Sequence, residues 1–443
     1  MASLPNFDRL NTEFYRNQEK AHLEQRLLFA SVEGGGQSWL CLVSEGVNPP
    51  KAIDSKRFYT TEKKDGKTVP RKPSAVIKDC VQWLQSFEKR EGKLASIGIV
   101  SFGPCDLNHA SEHYGKITTT PKEGWQFTSV VQPFQTAFRN VPIGFDTDVN
   151  MVAVSEYMYG GHGEITSSSY ITVGTGIGVG MCTNGKPVHG MVHPEGGHIR
   201  VPRYHAIGLD KKLPWLDEKG VDNYQGNCKF HCKKPMVPFP CVEGMANSDA
   251  IADRLGIDKA QLPDAPDDDP VWDCVAYYLA QLCMSITFLM SPEVIVIGGG
   301  VMKRKTLLPL IRKHFQNLLG DYFKNDIYHK DVDKYIVRSK FDAVKGDVHA
   351  GVMGGLELAR RVYELSDKSR LRAQQLKIEQ LNEILMEKSR MAKKAIALGA
   401  AGEPSSRSYV DDFIRGFGML AMGLGIGVGA ALAASSLTAK KDK

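Results

Sequence analysis

Ser169-Tyr-Ile-Thr-Val173, followed by Gly174-Thr175-Gly176-Ile177-Gly178 and then Val179-Gly-Met-Cys-Thr183, decides the fold. β-Branched and apolar residues on both sides of a glycine-rich turn predict two strands joined by a tight loop. The same plan stands about 140 residues earlier, where 27–33 and 39–43 flank Gly34-Gly35-Gly36. One glycine hairpin is common in any protein. Two on one plan predict an α/β chain of two similar lobes closing over a cleft.

Working outward, apolar spacing predicts a helix over 74–90 and a buried strand over 96–102. A helix from near Asn150 to about Gly163 and a long apolar helix over 272–290 follow. The run Val294-Ile-Val-Ile leads into Gly298-Gly299-Gly300, and 346–365 reads as a closing helix. These divide the chain into a lead-in (1–26), a first lobe (27–150), a second lobe (151–363), an amphipathic helix (364–399), a linker (400–412) and a tail (413–443).

The 443 residues are 42% hydrophobic and 24% charged, enough for a sizeable core. A net charge of +6 from 56 basic and 50 acidic residues gives no field that would gather nucleic acid. Six of the nine cysteines lie in apolar segments and read as buried thiols of a reducing compartment. Cys228, Cys232 and Cys241 instead cluster beside His231. The polar start of the chain predicts no secretory signal.

Three glycine loops, 34–36, 174–178 and 298–300, each follow a strand, and turn amides of this kind cradle phosphate oxygens. Asp146 and Asp148 close another strand, as plain loop carboxylates or as a general base. His198, Cys228, His231 and Cys241 offer two imidazoles and two thiolates, a set suited to tetrahedral Zn²⁺ or else a group of unligated thiols.

Over about residues 28–360 the chain resembles the ROK family of sugar kinases and related repressors, in its fructokinase branch. The segments that bear the likeness are Glu33-Gly-Gly-Gly36, Ser101-Phe-Gly-Pro-Cys-Asp-Leu-Asn108, Thr120-Pro-Lys-Glu-Gly-Trp125, Gly144-Phe-Asp-Thr-Asp-Val-Asn150, Ile171-Thr-Val-Gly-Thr-Gly-Ile-Gly178, His193-Pro-Glu-Gly-Gly-His198 and Ile297-Gly-Gly-Gly-Val301.

The resemblance implies a two-lobed, actin-like (ribonuclease H-like) ATPase fold in which ATP with Mg²⁺ meets a hexose, most similarly to the branch that makes fructose 6-phosphate. It assigns Asp148 as general base and Glu33, Gly34, Gly35 and Gly36 to the metal-bound phosphates. Gly174, Thr175, Gly176 and Gly178 match the second phosphate loop, and Gly298, Gly299 and Gly300 the adenosine side. Glu195, His198 and Glu243 match sugar contacts, beside a zinc held by His198, Cys228, His231 and Cys241.

Two departures stand out. An insertion over 233–240 leaves Cys232 a rival of Cys241 for the metal. The first loop runs into Gln37-Ser38 where the family has Thr-Lys, so Gln37 must donate to phosphate or Ser38 serve one position later. A mannose or glucose kinase, or a sugar-binding scaffold without turnover, is the alternative. A repressor is not expected, since about 26 residues before the first strand are too few for a helix-turn-helix.

Beyond 364 the chain turns charged, with interspersed leucines that suit a solvated amphipathic helix or the seam of a homodimer. No charged residue occurs over 416–439, a length that spans roughly 30 Å of hydrocarbon as a helix. Gly423/Gly427 and Gly425/Gly429 have small-xxx-small spacing, and Lys440, Lys441 and Lys443 follow. A tail anchor is expected, placing the enzyme on the cytoplasmic face of an organelle membrane; a self-associating glycine-rich tail on a cytoplasmic protein is the alternative.

Overall fold

Leu28–Gly34 (β1) and Ser38–Glu45 (β2) are almost entirely buried, as continuous apolar runs must be when a sheet is covered on both faces. The computed structural model describes residues 27–206, 213–232, 239–341 and 347–366, with isolated positions 386, 387 and 390. β1 lies antiparallel to β2 and parallel to β6 (Ser96–Ser101), which is parallel to β7 (Ile143–Thr147). With β3 (Lys51–Tyr59) outside β2, the order is β3-β2-β1-β6-β7, and β4 (Thr61–Lys64) and β5 (Lys67–Pro70) form a separate ribbon.

The second sheet contains β8 (Ser167–Val173), β9 (Ile177–Thr183), β10 (Lys186–Pro187), β11 (Val294–Gly298) and β12 (Ile336–Arg338), in the order β10-β9-β8-β11-β12. Its hairpin is again flanked by parallel strands on one side and an antiparallel edge on the other. The plan read from two glycine hairpins is thus repeated strand for strand.

Helix α1 (Pro73–Glu91) has proline in its first turn, where no amide is missed, and buries Val76, Ile77, Cys80, Leu84 and Phe87 on one face. Each such side chain contributes about 1.5–3 kcal/mol by leaving water. Together with α2 (Val131–Ala137) this face covers the first sheet. The second sheet is covered by α4 (Val242–Ala246), α5 (Ser248–Leu255), α6 (Val271–Met290) and α7 (Leu307–Leu319). α6 is long and apolar enough to cross a membrane, but most of it is packed inside this core.

Two helices fill the space between the sheets: α3 (Asp148–Tyr159) and α8, residues 350–366. Val352, Met353, Leu356 and Ala359 of α8 pack on Phe29, Leu40 and Leu42 of the first sheet. Ala350 and Leu358 join Met151–Val154 of α3 against Tyr170, Val294 and Val296 of the second. The boundary expected at residue 150 falls inside a helix, and the described residues from 27 to 364 belong to one compact unit. The lead-in (1–26), the linker (400–412), the tail (413–443) and most of 364–399 lie outside the described residues.

Candidate active site

β7 ends at Thr147, whose hydroxyl accepts the N–H of Asn150 (3.2 Å) and so starts α3 with Asp148 as its first residue. β9 lies directly beneath that first turn. A Cβ on Gly180 would come within 2.0 Å of the Val149 carbonyl oxygen, so only glycine lets the head of α3 rest there. This close approach brings Asp148 beside the 174–178 loop at the other end of β9.

A cavity of about 640 Å³ opens at this point. Asp148, Gly174, Thr175, Gly176, Gly178, Gly36, Glu195, His198 and Glu243 all line it. Glu33, Gly34 and Gly35 do not, nor do Gly298, Gly299 and Gly300. Glu33 turns instead toward His349 (3.2 Å), and Gly299, with φ of 96°, backs onto Val173 just ahead of the second loop. Gln37 reaches the cavity. Ser38 lies off the cavity wall, its hydroxyl accepting from Arg57 (2.9 Å).

The four donor atoms of His198, Cys228, His231 and Cys241 lie within 4.8 Å of one another. Cys228 Sγ is 3.9 Å from His198 Nδ1 and 3.5 Å from His231 Nδ1, and Cys241 Sγ is 3.9 Å from His198 Nδ1. Zn–S and Zn–N bonds of roughly 2.3 and 2.0 Å in a tetrahedron separate sulfur from nitrogen by about 3.5 Å, so this cage fits the ion. Arg200 braces it by donating to the carbonyls of His231 and Phe239. Cys232, the rival ligand, packs its sulfur against Gly226 and Gly244 and within hydrogen-bond reach of the Cys228 and Cys241 sulfurs.

A family model described as ROK family matches residues 51–362. The chain belongs to the ROK family. It is 36% identical over 334 residues to a fructokinase of Pediococcus pentosaceus, an alignment covering 75% of this chain and 98% of that one. A fructokinase of Zymomonas mobilis is 33% identical over 332 residues, with 75% and 96% covered. Among solved structures, a ROK family glucokinase from Streptomyces griseus in complex with glucose and AMPPNP superposes with a TM-score of 0.53 at 18% identity, covering 75% of this chain and 99% of that one.

In this ROK protein the two candidate carboxylates are held differently. Asp146 is buried and fully engaged, accepting from the Thr147 amide (2.7 Å), Asn150 Nδ2 (2.9 Å) and His189 Nε2 (3.0 Å). That bond raises the His189 pKa. Asp148 accepts the Val149 amide (2.9 Å) and otherwise faces the cavity. Burial pushes its pKa up, against the pull of Lys122 and the helix amides. Glu195 is pushed up to about 7 by desolvation and then by the charges of Glu243 and Asp148.

Glu243 links the His198–Cys228–His231–Cys241 cluster to the 174–178 loop. One carboxylate oxygen stands 4.0 Å from His198 Nε2, and the other accepts the Ile177 amide (3.0 Å). His193 is buried against Gly103, accepts the Cys105 amide at Nε2 (3.0 Å), and is held neutral by burial. It and Lys122 line the cavity too. Both lie in segments that bore the resemblance, yet residue type alone gave neither a role.

Proposed function

We propose that this ROK protein is an ATP-dependent hexose kinase that moves the γ-phosphoryl group onto the 6-hydroxyl of fructose. The observation that supports it most is a single cavity holding Asp148, the 174–178 amides and Glu195, His198 and Glu243. Relatives bearing the name fructokinase, aligned over nearly their whole length, favour fructose. Glucose and mannose share much of its hydroxyl pattern and are the weaker alternatives.

A sugar hydroxyl is too weak an acid to attack phosphorus unaided. Asp148 accepts its proton as the oxygen–phosphorus bond forms and the bond to ADP breaks. A carboxylate whose pKa is raised by burial is a better proton acceptor, provided that it is still ionised. The amides of 174–178 and of the Gly36–Gln37 turn hold the phosphates.

Two bound ions fit residues already described. Burial, and then the nearby charge of Asp148, lifts Glu33 to about 8, and the two carboxyls are a donor pair suited to Mg²⁺. Mg²⁺ would neutralise phosphate charge. Zn²⁺ in the His198, Cys228, His231, Cys241 cage would fix His198 by Nδ1, leaving Nε2 toward Glu243 and the sugar. From the sequence alone, we also infer a membrane tether in 413–443 that leaves the catalytic unit facing the cytoplasm, and a homodimer seam over 364–399.

ADP release measured with ATP, Mg²⁺ and a panel of fructose, mannose and glucose tests the reading. Fructose-dependent ADP formation is expected. Its absence with every hexose would leave a sugar-binding scaffold.

A further inference from the structure

ATP brings a polyanion to a cavity already lined by Asp148, Glu195 and Glu243, and the first glycine loop carries Gln37-Ser38, with no cation of its own. The fold supplies one from a distant segment. Lys122 stands in the connection between β6 and α2 and lines the same cavity. Its Nζ lies 3.2 Å from the centroid of the Phe102 ring. A Cβ placed on Gly36 would be 3.0 Å from its Cε and 3.1 Å from its Nζ, so the amino group is laid across the turn of the first loop.

Aromatic packing holds it there. Trp125, three residues on, stacks on Trp39 (5.3 Å between centroids, 9° between planes) and meets Phe102 edge-on (5.4 Å). Trp39 belongs to β2, immediately after the glycine turn, so lysine and loop are fixed to one hairpin. The Trp125 amide donates to the Lys122 carbonyl (3.2 Å), closing the turn. Among the described residues Lys122 forms no ion pair within 4 Å, which leaves its N–H donors for a ligand.

We propose that Lys122 is a further catalytic residue, whose ammonium contacts the γ-phosphoryl oxygens of ATP from the Gly36 side and neutralises their charge as the group passes to the sugar. This rests on the kinase reading above. The bond changes are those already given: the sugar oxygen bonds to phosphorus, the bond to ADP breaks, and the proton goes to Asp148. Lys122 donates charge-assisted hydrogen bonds and transfers no proton.

The ionisation of Lys122 makes the assignment testable. Burial brings its pKa down to about 8, opposed by the groups that face it: Asp148 at the head of α3, Cys105 after β6 and Glu243 on α4. The cation is therefore lost as pH rises through that region, and kcat/KM for ATP should fall with it. Arginine at this place stays charged.

The test measures kcat, KM for ATP, fructose affinity by calorimetry and thermal melting for full-length wild type, Lys122→Met and Lys122→Arg. Lys122→Met should lose roughly 10²–10³ in kcat, the usual cost of removing one stabilising donor, with fructose affinity and melting unchanged. Lys122→Arg should recover part of the rate and lose the alkaline fall. An active wild type with an equally active Lys122→Met variant overturns the role of Lys122 and leaves the kinase reading standing. Fructose affinity that drops as far as kcat/KM also overturns it, making Lys122 a sugar contact. An inactive wild type overturns both.

Discussion

Asp146 and Asp148 sit two positions apart where β7 becomes α3, and their surroundings separate their roles. Three donors occupy Asp146, whereas Asp148 keeps its outward oxygen toward the cavity. Because burial raises the Asp148 pKa, the acid limb of kcat/KM for fructose should lie above the ordinary carboxylate range, with activity rising as pH increases through it. A pH–rate profile checks this, and a limb at the usual value near 3.8 would contradict it. Glycine spacing after a strand named the second loop, and the resemblance to the ROK family named Asp148 and the sugar-side trio. They could not show that Glu33 turns to His349, that Ser38 is taken by Arg57, or that Lys122 lies on Gly36. Those are contacts between segments far apart in the chain, with no local pattern to announce them.

Elements were readable where burial imposes a pattern. β1, β2, β8 and β11 are nearly all buried, β9 is buried at four of its seven positions and α1 has a one-sided apolar stripe, so the apolar pattern found them within a residue or two. β3, β4 and β5 were missed because edge strands exposed to water show no alternation: Lys51–Tyr59 has only Phe58 buried and exists by pairing with β2. The metal knuckle tests the same scale. Cys241→Ser should lower bound zinc well below one ion per chain and raise the fructose KM, while Cys232→Ser should leave zinc in place. Metal analysis of purified protein checks both, and zinc retained by Cys241→Ser but lost by Cys232→Ser would reverse the ligand assignment.

The whole molecule follows from one strand order used twice, with α3 and α8 packed between the sheets. The repeat was legible in two glycine turns. The sharing of α3 and α8 was not, because a boundary drawn along the sequence cannot show a helix returning from residue 350 to the first sheet. At this scale the tail makes its own prediction. Deleting 413–443 should move the protein from the membrane fraction to the soluble fraction, and an unchanged distribution would refute the tether.

The most direct measurement is fructose 6-phosphate formation by wild type and Asp148→Asn, alongside fructose binding by each. Asparagine keeps the shape at the head of α3 and removes the proton acceptor. The account predicts that wild type turns over while the variant binds fructose normally and loses about 10²–10⁴ in rate. A variant that binds fructose and phosphorylates it at the wild-type rate would contradict it.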